Sequence, residues 1–480
     1  MENNKGLRAW QITMLALGTV VGGSFFLGSA VAVRAAGPAI ILSYLIGGFL
    51  VYLILFALSE MTVVKTVKGS FRTYAEMIYG PLVGFVVGWV YWTGLVLAMS
   101  SEAIAVSILI KKWFPFLSAP LIGLGIILLI TIINLFEINK LSKIETALAL
   151  LKLSVIIVFI IMAFGLVMGF FEGREAVAFN QIKNEDFFAN GFSGIAGSML
   201  IVIFSYAGFE ITGLAASEAV DPQKTVPKAI KYTVISLVFL YIITITMLLL
   251  LIPTNTFSEN TSPLVASLLW YNFNWAGEII NLVLITAIIS TMLAATFGIG
   301  QMIYSLAKEG HAPNFLKDKG DIPYRGIIFS GFAMVFALGM GYLLPQRIYL
   351  FLVSSGGFSL LFVYLVILLT HYKFRKKFGC PKGKCALPAY PYTSWVAIFL
   401  LISIIVTMPL IPGQGAGLVA GLFLLIVYLF AYFLRSKINF KFTFLKSKNL
   451  DRGKKYKKAH MMETAEEMNI DLKEKDNDNN

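Results

Sequence analysis

The chain has 480 residues, of which 58% are hydrophobic and 14% are charged, and its mean hydropathy is +0.80. Soluble domains average about 45 to 50% apolar and about 25% charged residues, so this composition excludes an ordinary soluble protein and indicates a membrane protein. The formal net charge of +13 does not indicate nucleic-acid binding, because the basic residues are spread along the chain rather than gathered in one domain.

Long uncharged stretches predict transmembrane helices, since a helix needs about 20 residues to cross about 30 Å of hydrocarbon. A further span at about 146–171 is apolar apart from Lys152, and the last uncharged run is long enough for two helices. The apolar residues are continuous rather than alternating, which disfavours a membrane β-barrel. We predict an all-α polytopic membrane protein with twelve helices. The uncharged runs are 11–33, 35–59, 77–101, 113–136, 187–209, 232–258, 279–307, 326–346, 348–372 and 386–434.

The distribution of Lys and Arg predicts the orientation of these helices. When the N-terminus is placed in the cytoplasm, most basic residues fall on the inner side, and only Lys152 is expected inside the bilayer. Both termini are then cytoplasmic, the protein lies in the cell membrane, and its basic segments attract anionic inner-leaflet lipid. Residues 436–480 predict a polar cytoplasmic tail that has little to bury, following a transmembrane domain at 1–435.

The first and sixth predicted helices contain sequences that predict a break midway along the span. Unwound backbone at membrane depth is tolerated only where it lines a cavity, and a pair of such breaks in two halves of a chain indicates a transporter binding site. A break exposes N–H groups that bind a carboxylate and carbonyl groups that accept an ammonium group, so the site suits an amino acid. The predicted substrate-binding residues are Val21, Gly22, Gly23, Ser24, Tyr206, Ala207, Gly208 and Phe209.

Glycine in membrane helices also permits close packing, which is the alternative interpretation of these glycines. For Gly28, Gly47 and Gly48 close packing is the favoured interpretation. For the cluster Gly22–Ser24 taken alone the two interpretations are equal. The second break, in the sixth helix, favours a binding function for the pair.

Four stretches carry a family resemblance, including a Gly-Pro, Gly-Trp and Glu pattern in the second of them. With these motifs the sequence resembles the amino acid permeases of the amino acid, polyamine and organocation superfamily. The resemblance covers nearly the whole chain except the tail. The stretches are GTVVGGSFFLGSA at Gly18–Ala30, the segment Tyr74–Phe114, YAGFEITGLAASEAVDPQKTVPKAI at Tyr206–Ile230, and SLAKEGHAPNF at Ser305–Phe315.

The resemblance implies a leucine-transporter-like fold of two inverted five-helix repeats, at about 10–171 and 191–372, with two further helices at about 390–435. It implies secondary active transport by alternating access, and we expect proton-coupled uptake of a neutral amino acid. An exchanger of amino acids or polyamines is the alternative within transport. A permease-like amino acid sensor is the alternative of another class.

Three charged residues lie within or beside the predicted spans, where an ionisable group is costly and therefore a functional candidate. The segment around Lys152 resembles that of proton-dependent members of the family, in which a lysine of the fifth helix replaces a sodium ion, so we expect Lys152 to carry the coupled proton. The alternative is a lysine that reaches the interface. Glu210 is expected to hold the broken sixth helix or to sense protons. Glu102 is expected either to orient gating contacts or to lie near the outer interface.

Neither an enzyme site nor a cofactor site is predicted. The sequence has no phosphate-binding loop and no nucleophile elbow. The three histidines, His311, His371 and His460, offer no predicted cluster of metal ligands. Cys380 and Cys385 fall on a predicted cytoplasmic loop and are expected to be two reduced thiols rather than a metal site.

Overall fold

The computed structural model of the protein describes residues 7–65, 70–136, 138–171, 185–210, 219–258, 261–318, 322–340, 348–380 and 387–435. These residues form helices joined by turns, and a single isolated bridge pairs Leu7 with Ala219. The helices are α1 (Ala9–Val20), α2 (Gly23–Phe26), α3 (Gly28–Ala36), α4 (Ile40–Val64), α5 (Ser70–Tyr79), α6 (Pro81–Lys111), α7 (Ala119–Ile133), α8 (Ile138–Met168), α9 (Gly191–Ser205), α10 (Pro222–Leu251), α11 (Pro263–Trp270), α12 (Asn274–Lys308), α13 (Tyr324–Gly339), α14 (Ile348–Phe378), α15 (Tyr392–Thr407) and α16 (Gly415–Arg435).

Eight apolar helical segments among the described residues are long enough to cross a membrane. The first of them runs through α3 and α4, which are separated by a 3₁₀ turn at Gly37–Ala39. The turn forms there because Gly37 adopts a positive φ of 60° and Pro38 has no N–H to continue a helix. Four shorter apolar helices, α1, α7, α9 and α13, accompany these segments. The all-α prediction is confirmed, while the count of twelve spans stays a prediction.

The chain divides into two units, residues 1–425 and 426–480. The first unit contains α1 to α15 and the first half of α16. The described part of the second unit, residues 426–435, is the end of α16. The predicted tail at 436–480 lies outside the described residues.

Helix α6 is the long central helix that positions much of the site. It is 31 residues long, and it packs against α12, α13 and α14. An almost continuously apolar helix is stable in this position because it has neighbours on every side. Glycines bring α6 and α14 together: a Cβ on Gly356 would lie 3.1 Å from the carbonyl oxygen of Gly94 and 3.3 Å from the amide nitrogen of Ala98. Close backbone approach at small residues is typical of membrane helices.

The predicted break in the first helix lies between α1 and α2. Val21 and Gly22 are extended, so α1 ends at Val20 and α2 begins at Gly23. A Cβ on Gly22 would lie 3.1 Å from the side chain of Thr291 in α12, so a larger residue would crowd this position.

The predicted break in the sixth helix follows α9, which ends at Ser205. The turn at 206–210 contains Gly208, whose φ of 101° is rarely adopted by residues that carry a Cβ. A Cβ there would lie 3.0 Å from the carbonyl oxygen of Thr19, so this turn packs directly against the end of α1. The two breaks are therefore adjacent. Residues 211–218, where the sequence predicts the rest of the helix, lie outside the described residues.

Candidate functional site

The first break exposes two backbone N–H groups, and both bind the side chain of Glu102. The amide of Gly23 donates to Glu102 Oε2 at 2.7 Å and the amide of Ser24 donates to Glu102 Oε1 at 2.9 Å. Glu102 lies in the C-terminal third of α6 and is 3% exposed. The carboxylate of Glu102 therefore reaches the broken backbone of another helix, while its depth in the membrane stays a prediction.

The same break exposes carbonyl groups, and these bind Lys152 of α8. The ammonium group of Lys152 donates to the carbonyl oxygen of Gly18, to that of Val21 at 3.2 Å and to Thr291 Oγ1 at 3.2 Å. Thr291 Oγ1 also donates to the carbonyl oxygen of Val21 at 3.1 Å. Lys152 is 0% exposed, so the interpretation that its side chain reaches the interface is wrong.

The charges at the first break match the polarity of the backbone. The carbonyl end of α1 carries partial negative charge and receives the cation, whereas the amide end of α2 carries partial positive charge and receives the anion. A buried charge is costly unless it is hydrogen-bonded and compensated. The positive charge of Lys152 and the negative charge of Glu102 thus compensate each other at one break. Each side chain bonds a different end of the broken backbone between them.

The second break is held by its own carboxylate and by tyrosine hydroxyl groups. Glu210 Oε2 accepts from the amide of Gly208 at 3.1 Å and from the hydroxyl of Tyr364 at 3.2 Å. Glu210 Oε1 accepts from the hydroxyl of Tyr91 at 3.0 Å. The hydroxyl of Tyr241 donates to the carbonyl oxygen of Ser205, the last residue of α9, at 2.9 Å. This geometry matches the prediction that Glu210 bonds to amides exposed by the break.

Aromatic rings surround the two breaks. The ring of Phe25 stacks on that of Tyr241 with centroids 3.9 Å apart, and Tyr44 and Tyr206 complete this cluster. On the other side of the second break, Phe209 packs against Tyr364 with centroids 4.9 Å apart. Such surfaces suit the apolar part of a small substrate.

The structure brings the predicted site residues together. Val21 to Ser24 are buried at the first break, Tyr206 and Phe209 are buried at the second, and Ala207 and Gly208 are half-buried between them. Sequence reasoning missed Thr291, Tyr241 and Tyr364 as partners of the breaks. They lie inside long apolar runs, where a hydroxyl group gives no signal of what it contacts until the helices are packed.

A second charged cluster joins the segment before α6 to the segment after α12. The buried guanidinium of Arg72 donates to Glu76 Oε2 at 3.0 Å and to Glu309. Burial raises the pKa of Glu76 above its ordinary value, and the Arg72 guanidinium opposes this shift. His311 Nε2 lies 3.9 Å from Glu76 Oε1. Arg72 therefore connects the two repeats predicted from the sequence.

Ligand-type atoms of Glu76, Glu309 and His311 lie within 4.8 Å of one another, so the expectation that the histidines lack clustered ligand groups is wrong for His311. Arg72 donates to both carboxylates, which makes the cluster an ion-pair network. Cys380 is exposed. Cys385 and His460 lie outside the described residues.

Two broken helices that meet inside a bundle of apolar helices are typical of membrane transporters. The amino acid permease family model matches residues 11–449. The chain is 32% identical over 432 residues to the gamma-aminobutyric acid permease of Bacillus subtilis, covering 88% of this chain and 92% of that one. It is 30% identical to the probable threonine/serine transporter YbxG of the same species, covering 90% and 95% of the two chains. It is also 30% identical to the aromatic amino acid transport protein AroP of Escherichia coli K12, covering 86% and 91%.

The chain therefore belongs to the amino acid permease family, and it is a multi-pass membrane protein. Its relatives are transporters rather than enzymes. Among solved structures, the fold is similar to that of a manganese transporter of Eremococcus coleocola, with a TM-score of 0.54 at 11% identity over 87% of this chain and 91% of that one. This similarity concerns the fold alone.

Proposed function

We propose that the protein is a secondary active transporter that takes up a neutral amino acid across the cell membrane by alternating access, coupled to protons. The observation that carries the proposal is the first break, where a buried turn presents N–H groups on one side and carbonyl groups on the other. A zwitterionic amino acid needs N–H groups for its carboxylate and carbonyl groups for its ammonium group, close to each other. Permeases named for gamma-aminobutyric acid and for aromatic amino acids among its relatives support an amino acid as the substrate.

The substrate carboxylate binds the amides of Gly23 and Ser24 in this proposal. Glu102 holds both amides in the structure, so the substrate must displace the side chain of Glu102 in order to bind. A displaced carboxylate that stayed buried and ionised would lack its donors, at a large cost in free energy. Taking up a proton removes that cost. Substrate binding and protonation of Glu102 are thereby linked.

Lys152 carries the second proton-dependent contact in this proposal. Only the ammonium form can donate to Gly18, Val21 and Thr291 together, because a neutral amine has two N–H groups. Loss of the proton therefore releases part of the backbone at the end of α1, next to the substrate site. Release and recapture of that proton couple the first break to the proton gradient. Glu210 holds the second break throughout the cycle.

The fold that supports this cycle is proposed to contain twelve spans: inverted repeats at 10–171 and 191–372, followed by two helices at 390–435. The breaks after α1 and after α9 occupy corresponding places in the two repeats, which supports the assignment. Both termini are proposed to be cytoplasmic, with the tail at 436–480.

Uptake into proteoliposomes tests the proposal. We would reconstitute the full chain and supply a mixture of labelled amino acids with and without an inwardly directed proton gradient, using protein-free liposomes as the control. A proton-coupled transporter accumulates a neutral amino acid above its external concentration only with the gradient. If no amino acid is moved in either condition, the proposal fails.

The same preparation separates the alternatives. An exchanger moves labelled amino acid only when the liposomes are loaded with unlabelled amino acid or polyamine. A sensor binds amino acid without uptake and signals through its tail, so removal of the residues after Ser447 abolishes its output. A transporter keeps uptake after the same truncation.

A further inference from the structure

A basic cavity of about 250 Å³ lies where the start of α1 meets the start of α10, away from the two breaks. Three of its lining residues are cationic. In the proposed orientation this end of the bundle faces the cytoplasm. The cavity is lined by Arg8, Ala9, Val220, Lys224, Thr225 and Lys228.

The walls of this cavity are fixed by backbone contacts between two distant segments. Leu7 forms a parallel bridge with Ala219, and the amide of Val220 donates to the carbonyl oxygen of Leu7 at 3.2 Å. One turn deeper, the hydroxyl of Thr13 donates to the carbonyl oxygen of Ala229 at 3.3 Å. The backbone segments that carry the basic residues are therefore held together by a structured junction.

The cavity has an excess of positive charge. Lys224 Nζ lies 3.2 Å from Asp221 Oδ2, so one cation is compensated within the chain. Among the described residues, no carboxylate forms an ion pair with Arg8 or Lys228. Thr225 adds a hydroxyl group to the lining. Two available cations with a neighbouring hydroxyl group match the hydrogen-bonding needs of a phosphate group.

Exposed apolar side chains continue from the cavity along both helices. Trp10 of α1 is 60% exposed, and Met14 is exposed one turn further. On α10, Tyr232, Ile235 and Phe239 are exposed at intervals of three and four residues, which places them on one face. A soluble anion has no apolar part that would contact these side chains. The acyl chains of a phospholipid would pack against them.

We propose that this cavity binds the phosphate group of an anionic phospholipid, whose acyl chains lie along the exposed faces of α1 and α10. Basic pockets at the cytoplasmic ends of membrane helices match the negative surface potential of the inner leaflet. The lipid joins the segment that leads into the first break to the segment that follows the second. Its binding stabilises the junction of the two broken helices.

Binding of phosphatidylglycerol to the full chain in mixed detergent micelles tests this proposal, measured by native mass spectrometry against phosphatidylcholine. The variant Arg8→Gln/Lys228→Gln removes the two available cations. We expect it to bind phosphatidylglycerol about tenfold more weakly than the unchanged chain, since the phosphate group loses two of the cations that line its cavity. The matched control, Lys373→Gln/Lys376→Gln, removes the same charge from exposed positions at the end of α14 and should change binding less than twofold.

Equal binding of phosphatidylglycerol by the unchanged chain and the Arg8→Gln/Lys228→Gln variant would overturn the proposal. A charge-retaining variant, Arg8→Lys/Lys228→Arg, guards against loss of folding: it should bind phosphatidylglycerol as the unchanged chain does, and failure to do so with an intact thermal transition counts against the proposal. A separate experiment uses inorganic phosphate in place of the lipid. If millimolar inorganic phosphate stabilises the chain as much as phosphatidylglycerol and displaces it, the cavity is a free phosphate site and the lipid assignment is wrong.

Discussion

The backbone groups exposed at the two breaks are bonded by different kinds of side chain. At the first break, Lys152 of α8 and Glu102 of α6 reach in from other helices to bond the exposed backbone. At the second break, Glu210 bonds the amide of Gly208 within its own turn, and hydroxyl groups of Tyr91 and Tyr364 complete its bonding. One break is held by charges from a distance, and the other is held locally.

In the proposed transport cycle, this difference suits the two breaks to different parts. Bonds from ionised side chains on other helices change when a proton or a charged substrate arrives, so we expect the first break to respond. Hydroxyl groups do not titrate near neutral pH. We therefore expect the second break to keep its shape and to form the fixed wall of the site as long as Glu210 keeps its bonds to Gly208, Tyr91 and Tyr364. Four substitutions test this comparison, from the largest expected effect to the smallest.

The substitution Lys152→Ala is expected to have the largest effect. It leaves the carbonyl groups of Gly18 and Val21 without their cation and leaves Glu102 as an uncompensated buried charge. Removing one partner of a buried charged arrangement costs about 3 to 5 kcal/mol, so proton-dependent uptake should be lost and the thermal unfolding midpoint in detergent should fall. Lys308→Ala, at the exposed end of α12, is the control, and it should keep proton-dependent uptake and the unfolding midpoint unchanged. Normal proton-dependent accumulation by Lys152→Ala would contradict the assignment.

The substitution Gly208→Ala tests whether the turn at 206–210, which forms the second break, is rigid. Its φ of 101° is strained for alanine, and the new Cβ would lie 3.0 Å from the carbonyl oxygen of Thr19. We expect a loss of about 1 to 3 kcal/mol in stability. The matched control is Gly298→Ala in α12, where a Cβ meets nothing within 4 Å and alanine should be neutral or stabilising. Equal unfolding midpoints for the two variants would show that the turn at 206–210 adapts freely and is no fixed wall.

The substitution Glu102→Gln keeps the shape of the side chain and removes its charge. A glutamine has a single acceptor oxygen, so only one of the two amides of Gly23 and Ser24 keeps a side-chain acceptor, and that neutral bond is weaker than the carboxylate bond by about 1.4 kcal/mol. A substrate carboxylate then competes more easily for these amides, so the apparent KM should fall about tenfold and depend less on pH. Glu278→Gln is the control, because this exposed carboxylate pairs with Lys112 at 2.5 Å, far from the breaks. A raised KM would mean that Glu102 contacts the substrate instead of competing with it.

The positions of both breaks could be predicted from the sequence. Glycine within an apolar run, at corresponding places in two halves of a chain, is typical of unwound backbone that lines a cavity. Lys152 and Glu210 could be singled out for a similar reason, since charge in an apolar run is costly. What each charge bonds to could not be predicted. Glu102 lies 79 residues from Gly23, and only the packing of α6 against α2 brings them together.

The hydroxyl groups were hidden from sequence reasoning for a different physical reason. Thr291 and Tyr241 lie in uncharged runs, where a threonine hydroxyl group often bonds the backbone of its own helix. Thr291 does so with the carbonyl oxygen of Ala287 at 3.2 Å, and it bonds Val21 and Lys152 as well. No local sequence pattern distinguishes a hydroxyl group that also bonds another helix from one that bonds only its own helix.

The substitution Tyr364→Phe is expected to have the smallest effect. It removes one donor to Glu210 but keeps the ring contact with Phe209, and Glu210 retains its bonds to Tyr91 and to the amide of Gly208. The loss should be about 1 kcal/mol, seen as a small fall in the unfolding midpoint, with uptake changed less than twofold. Tyr271→Phe, whose hydroxyl donates to Leu251 away from the site, provides the scale for losing one such bond. If Tyr364→Phe instead abolished uptake as Lys152→Ala should, the second break would also respond during the cycle. The division between a responsive break and a fixed wall would then be wrong.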